Sequence, residues 1–165
     1  MLAGITADHG HVVIEPERQL VLGGRGKHRD RQGDGSDRQD GEDAAMEALL
    51  AHGPSVEPRS PCFHVLPGRE AEFAERFRRS RFGKHFALLS IAEAERLQLF
   101  GPQLGERAKL MAGTFIALTT EDRVLVHKRR MKMRGVHGGM TKAEVDRDGP
   151  RARLFKIRLC ERFLL

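Results

Sequence analysis

Gly4-Ile5-Thr6-Ala7-Asp8-His9-Gly10 is a short apolar run that ends in an acid, an imidazole and a glycine. It predicts a strand over residues 5–7 whose carboxyl end presents Asp8 and His9, the end at which open α/β sheets carry ligand-binding groups. One hard oxygen beside one borderline nitrogen is a donor pair that zinc accepts. A second patch, Val136-His137-Gly138-Gly139-Met140-Thr141, lies far along the chain and supplies another imidazole next to two glycines. Two remote patches of this kind are what a metal site assembled by folding looks like. Each alone has a plainer reading: a surface acid with a half-buried imidazole at Asp8-His9, and a tight turn at Gly138-Gly139.

The stretch between the patches carries more: Glu57-Pro58-Arg59, then Phe63-His64-Val65 with Pro67-Gly68, then Phe73 and Phe77, then Leu99-Phe100-Gly101-Pro102. In order and spacing, residues 1–145 resemble the carboxy-terminal part of alkaline phosphatase superfamily proteins, in the type I phosphodiesterase/nucleotide pyrophosphatase branch. Asp-His-Gly also occurs in sulfatases and cofactor-independent phosphoglycerate mutases, so the branch rests on the middle segment and on His137-Gly138-Gly139-Met140-Thr141. The resemblance implies an α/β chain: a partial alkaline-phosphatase-like fold with a small α+β insertion and a mobile charged loop.

It also implies a chemistry, metal-dependent hydrolysis of phosphodiester or pyrophosphate bonds with a phosphoester or nucleotide as substrate. Two zinc-like ions serve that reaction, because a pair can stabilise both the attacking and the leaving oxygen. Carried over by position, Asp8 and His9 belong to the ion on the nucleophile side and His137 to the other. The family's remaining ligands and its serine or threonine nucleophile lie upstream of Asp-His-Gly, and only seven residues precede Asp8. The expectation is an incomplete enzyme, able to hold one zinc but without the positioned nucleophile that covalent phosphoryl transfer needs. An upstream half on another polypeptide would complete it. After Val145 the chain runs Asp146-Arg147-Asp148-Gly149-Pro150-Arg151 where the family continues into a buried apolar strand. A shifted reading frame or gene rearrangement near Val145 would explain the switch, and residues 146–165 read as a basic tail.

Composition bounds the alternatives. At 165 residues with 39% apolar content, one modest core is affordable. Trp and Tyr are absent, so the nine Phe must supply its aromatic burial. No segment approaches the roughly 20 apolar residues that span a bilayer, the start lacks the basic leader of a signal peptide, and Cys62 and Cys160 do not make a disulfide framework. No membrane and a reduced cytoplasmic setting are the expectation. The net charge of +6 gathers at Arg76-to-Lys84, at Lys128-Arg129-Arg130-Lys132-Arg134 and in the tail. A basic nucleic-acid or anion-binding module is therefore the rival function, and a non-functional remnant the third. Without interleaved exposed aromatics or a nucleic-acid-binding motif, the clusters read as solvated faces, or as charges that draw in an anionic substrate.

Local patterns predict the elements. Residues 12–14 and 19–22 read as short extended pieces around Glu15-Pro16-Glu17. Residues 23–43, rich in Gly, Arg, Asp and Gln, lack the apolar surface to offset their ordering entropy and read as a mobile, exposed loop. Gly23-Gly24-Arg25-Gly26-Lys27 within it lacks the spacing of a phosphate-binding loop. A helix is expected over 44–52, a strand over 62–66, and a helix over 70–80 with Phe73 and Phe77 on one face. A strand over 87–89 leads into a helix that Ser90 and Glu93 cap reciprocally, ending by Gly101-Pro102. Residues 115–118 and 124–127 suggest a hairpin over Thr120-Glu121-Asp122. Thr141 and Glu144 repeat the capping pattern, which puts His137 in a loop before a helix. His11, His64 and His127 match no metal motif and read as surface or packing residues.

Overall fold

The computed structural model describes residues 11–23, 36–141 and 144. Asp8 and His9, with the strand leading to them, and the tail at 146–165 lie outside the described residues. The chain is a mixed α/β structure organised around one antiparallel sheet. Its strands are β1 (Val12–Val13), β2 (Gln19–Leu22), β3 (Ser55–Glu57), β4 (Ser60–Phe63), β5 (Ala87–Ser90), β6 (Phe115–Leu118), β7 (Val124–His127) and β8 (Gly135–Val136). Its helices are α1 (Ser36–Glu47), α2 (Glu70–Arg79), α3 (Ile91–Arg96) and α4 (Glu106–Ala112). Among the described residues no helix is long and apolar enough to cross a membrane.

The central sheet has the order β3-β4-β6-β5, every neighbour antiparallel. Alternation along its strands sends successive side chains to opposite faces. Phe63, Leu88, Phe115 and Ala117 join one core with Phe73 and Phe77 of α2, Met46 of α1, and Phe82 and Phe86. Cys62, Leu89, Ile116 and Leu118 point the other way and pack with Ile91 and Ala94 of α3 and Ala112 of α4. Helices cover both faces, which is why Phe115-Ile116-Ala117-Leu118 is apolar without a break. Burial of Cys62 pushes its thiol up to about 11, so it stays protonated near neutral pH and packs as a small apolar group.

Both ends of α3 follow from local chemistry. Ser90 Oγ accepts the Glu93 amide at 3.2 Å while Glu93 Oε2 accepts the Ser90 amide at 3.0 Å, the reciprocal cap that the sequence predicts. The helical path stops well before Gly101-Pro102, at Leu97, and Gln98 turns to a φ of +57°. On α2, Phe73 and Phe77 are buried together as their spacing requires, and Glu72 bridges Arg69 and Arg76 on the solvent side.

Two sequence-based expectations are corrected. The strands β6 and β7 do not form a hairpin. One edge of β6 is taken by β4 (Cys62↔Ile116) and the other by β5 (Leu89↔Ile116), so no ladder position remains for β7. It leaves the sheet and pairs in parallel with β2, from Gln19↔Val124 to Leu22↔His127. The expectation of a mobile loop over 23–43 also fails in its last third, because residues 36–43 are the first turns of α1. Tertiary contact offsets the weak apolar pattern: Asp43 is buried against Arg81, whose Nη2 lies 2.5 Å from Asp43 Oδ2, and Met46 reaches the phenylalanine core. Residues 24–35 of that segment lie outside the described residues. The helix also ends at Glu47 rather than His52, since Leu50 bridges to Val65 and the Leu49 carbonyl accepts the Leu66 amide.

The ring cluster is the main apolar investment of the fold. Phe77 is fully buried, with ring centroids 5.4 Å from Phe63, 5.9 Å from Phe73 and 6.2 Å from Phe82. Phe77→Ala should lower unfolding stability by about 3–5 kcal/mol, measured as a shift of the urea midpoint. A loss below about 1 kcal/mol would mean that the site collapses freely and that the ring is not a keystone of the core.

Candidate functional site

The two short terminal strands of the described region make the corner of interest. Strand β1 pairs antiparallel with β8 through Val12↔Val136 and Val13↔Gly135, and the Ile14 amide extends the ladder to the Arg134 carbonyl at 2.8 Å. Ile14, Val124, Val126 and Val136 bury a small apolar cluster beneath it. This register sets His11 opposite His137. Their ring centroids are 5.4 Å apart and their planes are inclined by 80°. His11 is exposed at the corner and His137 half-buried.

The loop that carries His137 is held by an ion pair in the interior. Arg59, in the turn between β3 and β4, is fully buried and grips Glu144 bidentately, Nε to Oε1 and Nη2 to Oε2, both at 2.7 Å. Its Nη1 donates to the Arg123 carbonyl at 2.9 Å. Glu144 also accepts the Gly139 amide at 3.0 Å, the Thr141 amide at 3.0 Å and the Thr141 hydroxyl at 2.5 Å. Burial alone would raise the Glu144 carboxyl, but the bonds from Arg59 and Thr141, the Arg59 charge and the Gly139 amide outweigh it. The group is held below its ordinary value of 4.5. The Thr141 and Glu144 pattern keeps one half of the expected cap, the Thr141 amide donating to the carboxylate of helical Glu144, and the same carboxylate is also half of an interior clamp.

Both glycines after His137 have a steric reason. Gly138 has a φ of +87°, and a Cβ there would come within 3.3 Å of Glu57 Cβ. A Cβ on Gly139 would stand 2.4 Å from Arg59 Nη2. The Met140 amide then donates to the Thr119 carbonyl at 2.7 Å, fastening the loop to the end of β6. His137 therefore projects from a backbone pinned on both sides.

Of the residues predicted as metal ligands, His137 lies in this corner, and Asp8 and His9 are outside the described residues. Two residues, Gly10 and His11, separate His9 from β1, so the chain that carries the Asp8-His9-Gly10 motif enters the strand paired beside His137. His64 and His127 are elsewhere: His64 Nε2 contacts the Met111 carbonyl at 3.1 Å, and His127 Nε2 contacts Glu47 Oε1 at 2.7 Å. Among the described residues no three His, Cys, Asp or Glu side chains gather as a metal-binding group. Sequence reasoning undervalued His11, whose position depends on the β1–β8 register. It also missed the Arg59–Glu144 pair, whose partners lie 85 residues apart; the only local signal was an arginine after Glu57-Pro58.

Removing one partner of a buried pair leaves the other charge uncompensated. Glu144→Gln should cost about 3–5 kcal/mol of stability. Because the folded carboxyl titrates below its ordinary value, its contribution is complete above about pH 4.5 and is lost as the pH falls through the lowered folded value. Urea unfolding of the wild type from pH 7 to pH 3 should therefore show a steeper acid loss than the Gln variant. Parallel acid profiles would remove Glu144 from this role.

No family model, no curated protein and no solved structure matches the chain.

Proposed function

We propose that this chain carries one wall of the divalent-metal site of a phosphoester hydrolase of the phosphodiesterase/nucleotide pyrophosphatase type, on an alkaline-phosphatase-like framework. Its ligands are Asp8, His9 and His137, and zinc is the ion its donors suit. The observation that carries the reading is the β1–β8 pairing, which delivers the segment following Asp8-His9-Gly10 to the side of His137. Donor chemistry and spacing fit the ion. With Zn–N distances of about 2.0–2.1 Å and tetrahedral angles, two imidazoles on one zinc have ring centroids about 5 Å apart. The 5.4 Å between His11 and His137 is of that size, so His11 is available as a further nitrogen donor.

When bound, such an ion polarises a phosphoryl oxygen and lowers the pKa of water at the site. The chain's own contribution is orientation: the Arg59–Glu144 clamp and the Gly138-Gly139 turn keep the His137 imidazole at a fixed point on the corner. Preset ligands raise affinity because little freedom remains to be lost on binding. The resemblance divides these three ligands between two ions, but together they are enough to hold one. A second ion and a serine or threonine nucleophile require residues beyond them, so we assign catalysis to these ligands together with an upstream half that carries the nucleophile.

Titration calorimetry with zinc should give one site. His137→Ala and His9→Ala should each weaken it by about tenfold or more, the scale of 1.4 kcal/mol per factor of ten. Affinity unchanged in both variants would overturn the metal-wall assignment. The chain alone should show little or no zinc-dependent cleavage of bis(4-nitrophenyl) phosphate. Robust turnover that is lost with chelator and in His9→Ala would show instead that the chain is a complete enzyme.

A further inference from the structure

A cleft of about 610 Å³ opens between β3 and the ribbon that follows β7. Its size is within the range of about 300–1,000 Å³ typical of small-molecule sites. Arg129, Arg130 and Lys132 line it, together with Ser55, Glu57 and His127. Glu57 is the one carboxylate among the lining residues, against three fixed cations.

These cations are presented by a constrained backbone rather than a loose run of charge. After β7 the chain turns at Lys128, a non-glycine residue with a φ of +62°, a conformation that L side chains seldom adopt. The Lys128 amide donates to the Leu22 carbonyl at 2.8 Å and the Arg129 amide to the His127 carbonyl at 2.7 Å, which holds the turn. Buried Gln19 then grips Met131 at both its amide (2.8 Å) and its carbonyl (3.2 Å). Arg129, Arg130 and Lys132 stand on either side of that fixed point. Arg129 and Lys132 have no ion-pair partner among the described residues, and Arg130 donates to the Pro16 carbonyl. Nearby carboxylates are engaged elsewhere, Glu15 with Arg134 and Glu47 with His127. In the cleft wall, the buried hydroxyl of Ser55 has no hydrogen-bond partner among the described residues. An unpaired buried donor has an energetic reason to find an acceptor.

We infer that this cleft binds a polyphosphate group, the consecutive phosphates of a small anionic ligand. Guanidinium forks and an ammonium suit phosphate oxygens, and the Ser55 hydroxyl adds a neutral donor. The wall offers no Phe on which a base could stack, and stacking is what carries single-stranded nucleic acid binding. The cleft also adjoins the metal corner, since Glu57 lines the cleft and packs under Gly138, next to His137. In this respect the inference rests on the proposed function and deepens it: the cleft holds the anionic remainder of a phosphoester whose reacting phosphorus faces the corner.

The test uses the full chain with inorganic tripolyphosphate in excess chelator and low salt, so that its outcome is independent of zinc binding. One site is expected. The double variant Arg129→Ala/Lys132→Ala should weaken it by about tenfold or more, and Ser55→Ala by a smaller factor of about 3–10, the range of one lost hydrogen bond to a charged group. Arg76→Ala/Arg79→Ala, on the distant α2, should bind as the wild type does. Both pairs of cations are exposed, and circular dichroism checks that each variant folds. The inference is overturned if Arg129→Ala/Lys132→Ala binds like wild type, or if the α2 pair loses as much. It is also overturned if a short oligothymidylate binds more tightly than tripolyphosphate, which would make the cleft a nucleic-acid groove. Loss of zinc binding with tripolyphosphate binding intact would count against the metal wall alone.

Discussion

The buried pair of Arg59 and Glu144 is the constraint on which the functional end of this molecule depends. Removing a guanidinium and a carboxylate from water costs several kcal/mol per ion, and attraction offsets that only where the geometry is good and the remaining donors and acceptors are filled. Here they are filled. Arg59 meets two carboxylate oxygens and a carbonyl, while Glu144 meets the guanidinium, two amides and a hydroxyl. A network satisfied to this degree specifies one arrangement, because any shift of the His137 loop would leave a buried charge exposed to no partner. Gly139 is part of the same constraint, since only a residue without a side chain lets the loop approach the guanidinium this closely.

A second constraint lies in the sheet. Both edges of β6 are occupied, so the chain leaving it has to find a partner elsewhere and finds β2. That displacement organises the rest. It aligns β7 against β2, sets the sharp turn at Lys128, and carries the ribbon through Met131 to β8, where it pairs with β1. The basic cleft and the imidazole corner are consecutive products of one excursion of the chain. They meet at Glu57, which lines the cleft and packs against Gly138 beside His137.

The electrostatic layout follows a division of labour. Acids on α2 and α4 are spent on exposed local pairs, such as Glu72 with Arg69 and Arg76, or Glu106 with Lys109, which are worth little individually. Among the described residues, the one ion pair with both partners in the interior holds the loop of His137. In the ribbon after β7, Lys128 and Arg134 pair with Glu47 and Glu15, while Arg129 and Lys132 have no ion-pair partner among the described residues. Net basicity is thus less informative than its distribution: Arg76 and Arg79 of α2 line a cleft shared with Glu42, Glu72 and Glu75, whereas Arg129, Arg130 and Lys132 line one whose single carboxylate is Glu57.

What the sequence by itself determined was local. Phe73 and Phe77 at helical spacing, the Ser90 and Glu93 cap, the unbroken apolar run of Phe115-Ile116-Ala117-Leu118 and the glycines after His137 are each written in a few neighbouring residues. Each was realised where expected, because periodicity and capping act over one or two turns. Partner choice was not legible. Nothing within residues 115–127 tells β7 to leave β6, since edge occupancy is decided by strands 25 to 60 residues away in the chain. The start of α1 was hidden for the same reason, as Asp43 gains its place from Arg81. At the site, the imidazole of His137 could be named from its motif, but its pairing with His11, its clamp and its neighbouring cleft required the tertiary structure. Those depend on register, burial and long-range charge pairing, which exist only once the chain has closed on itself.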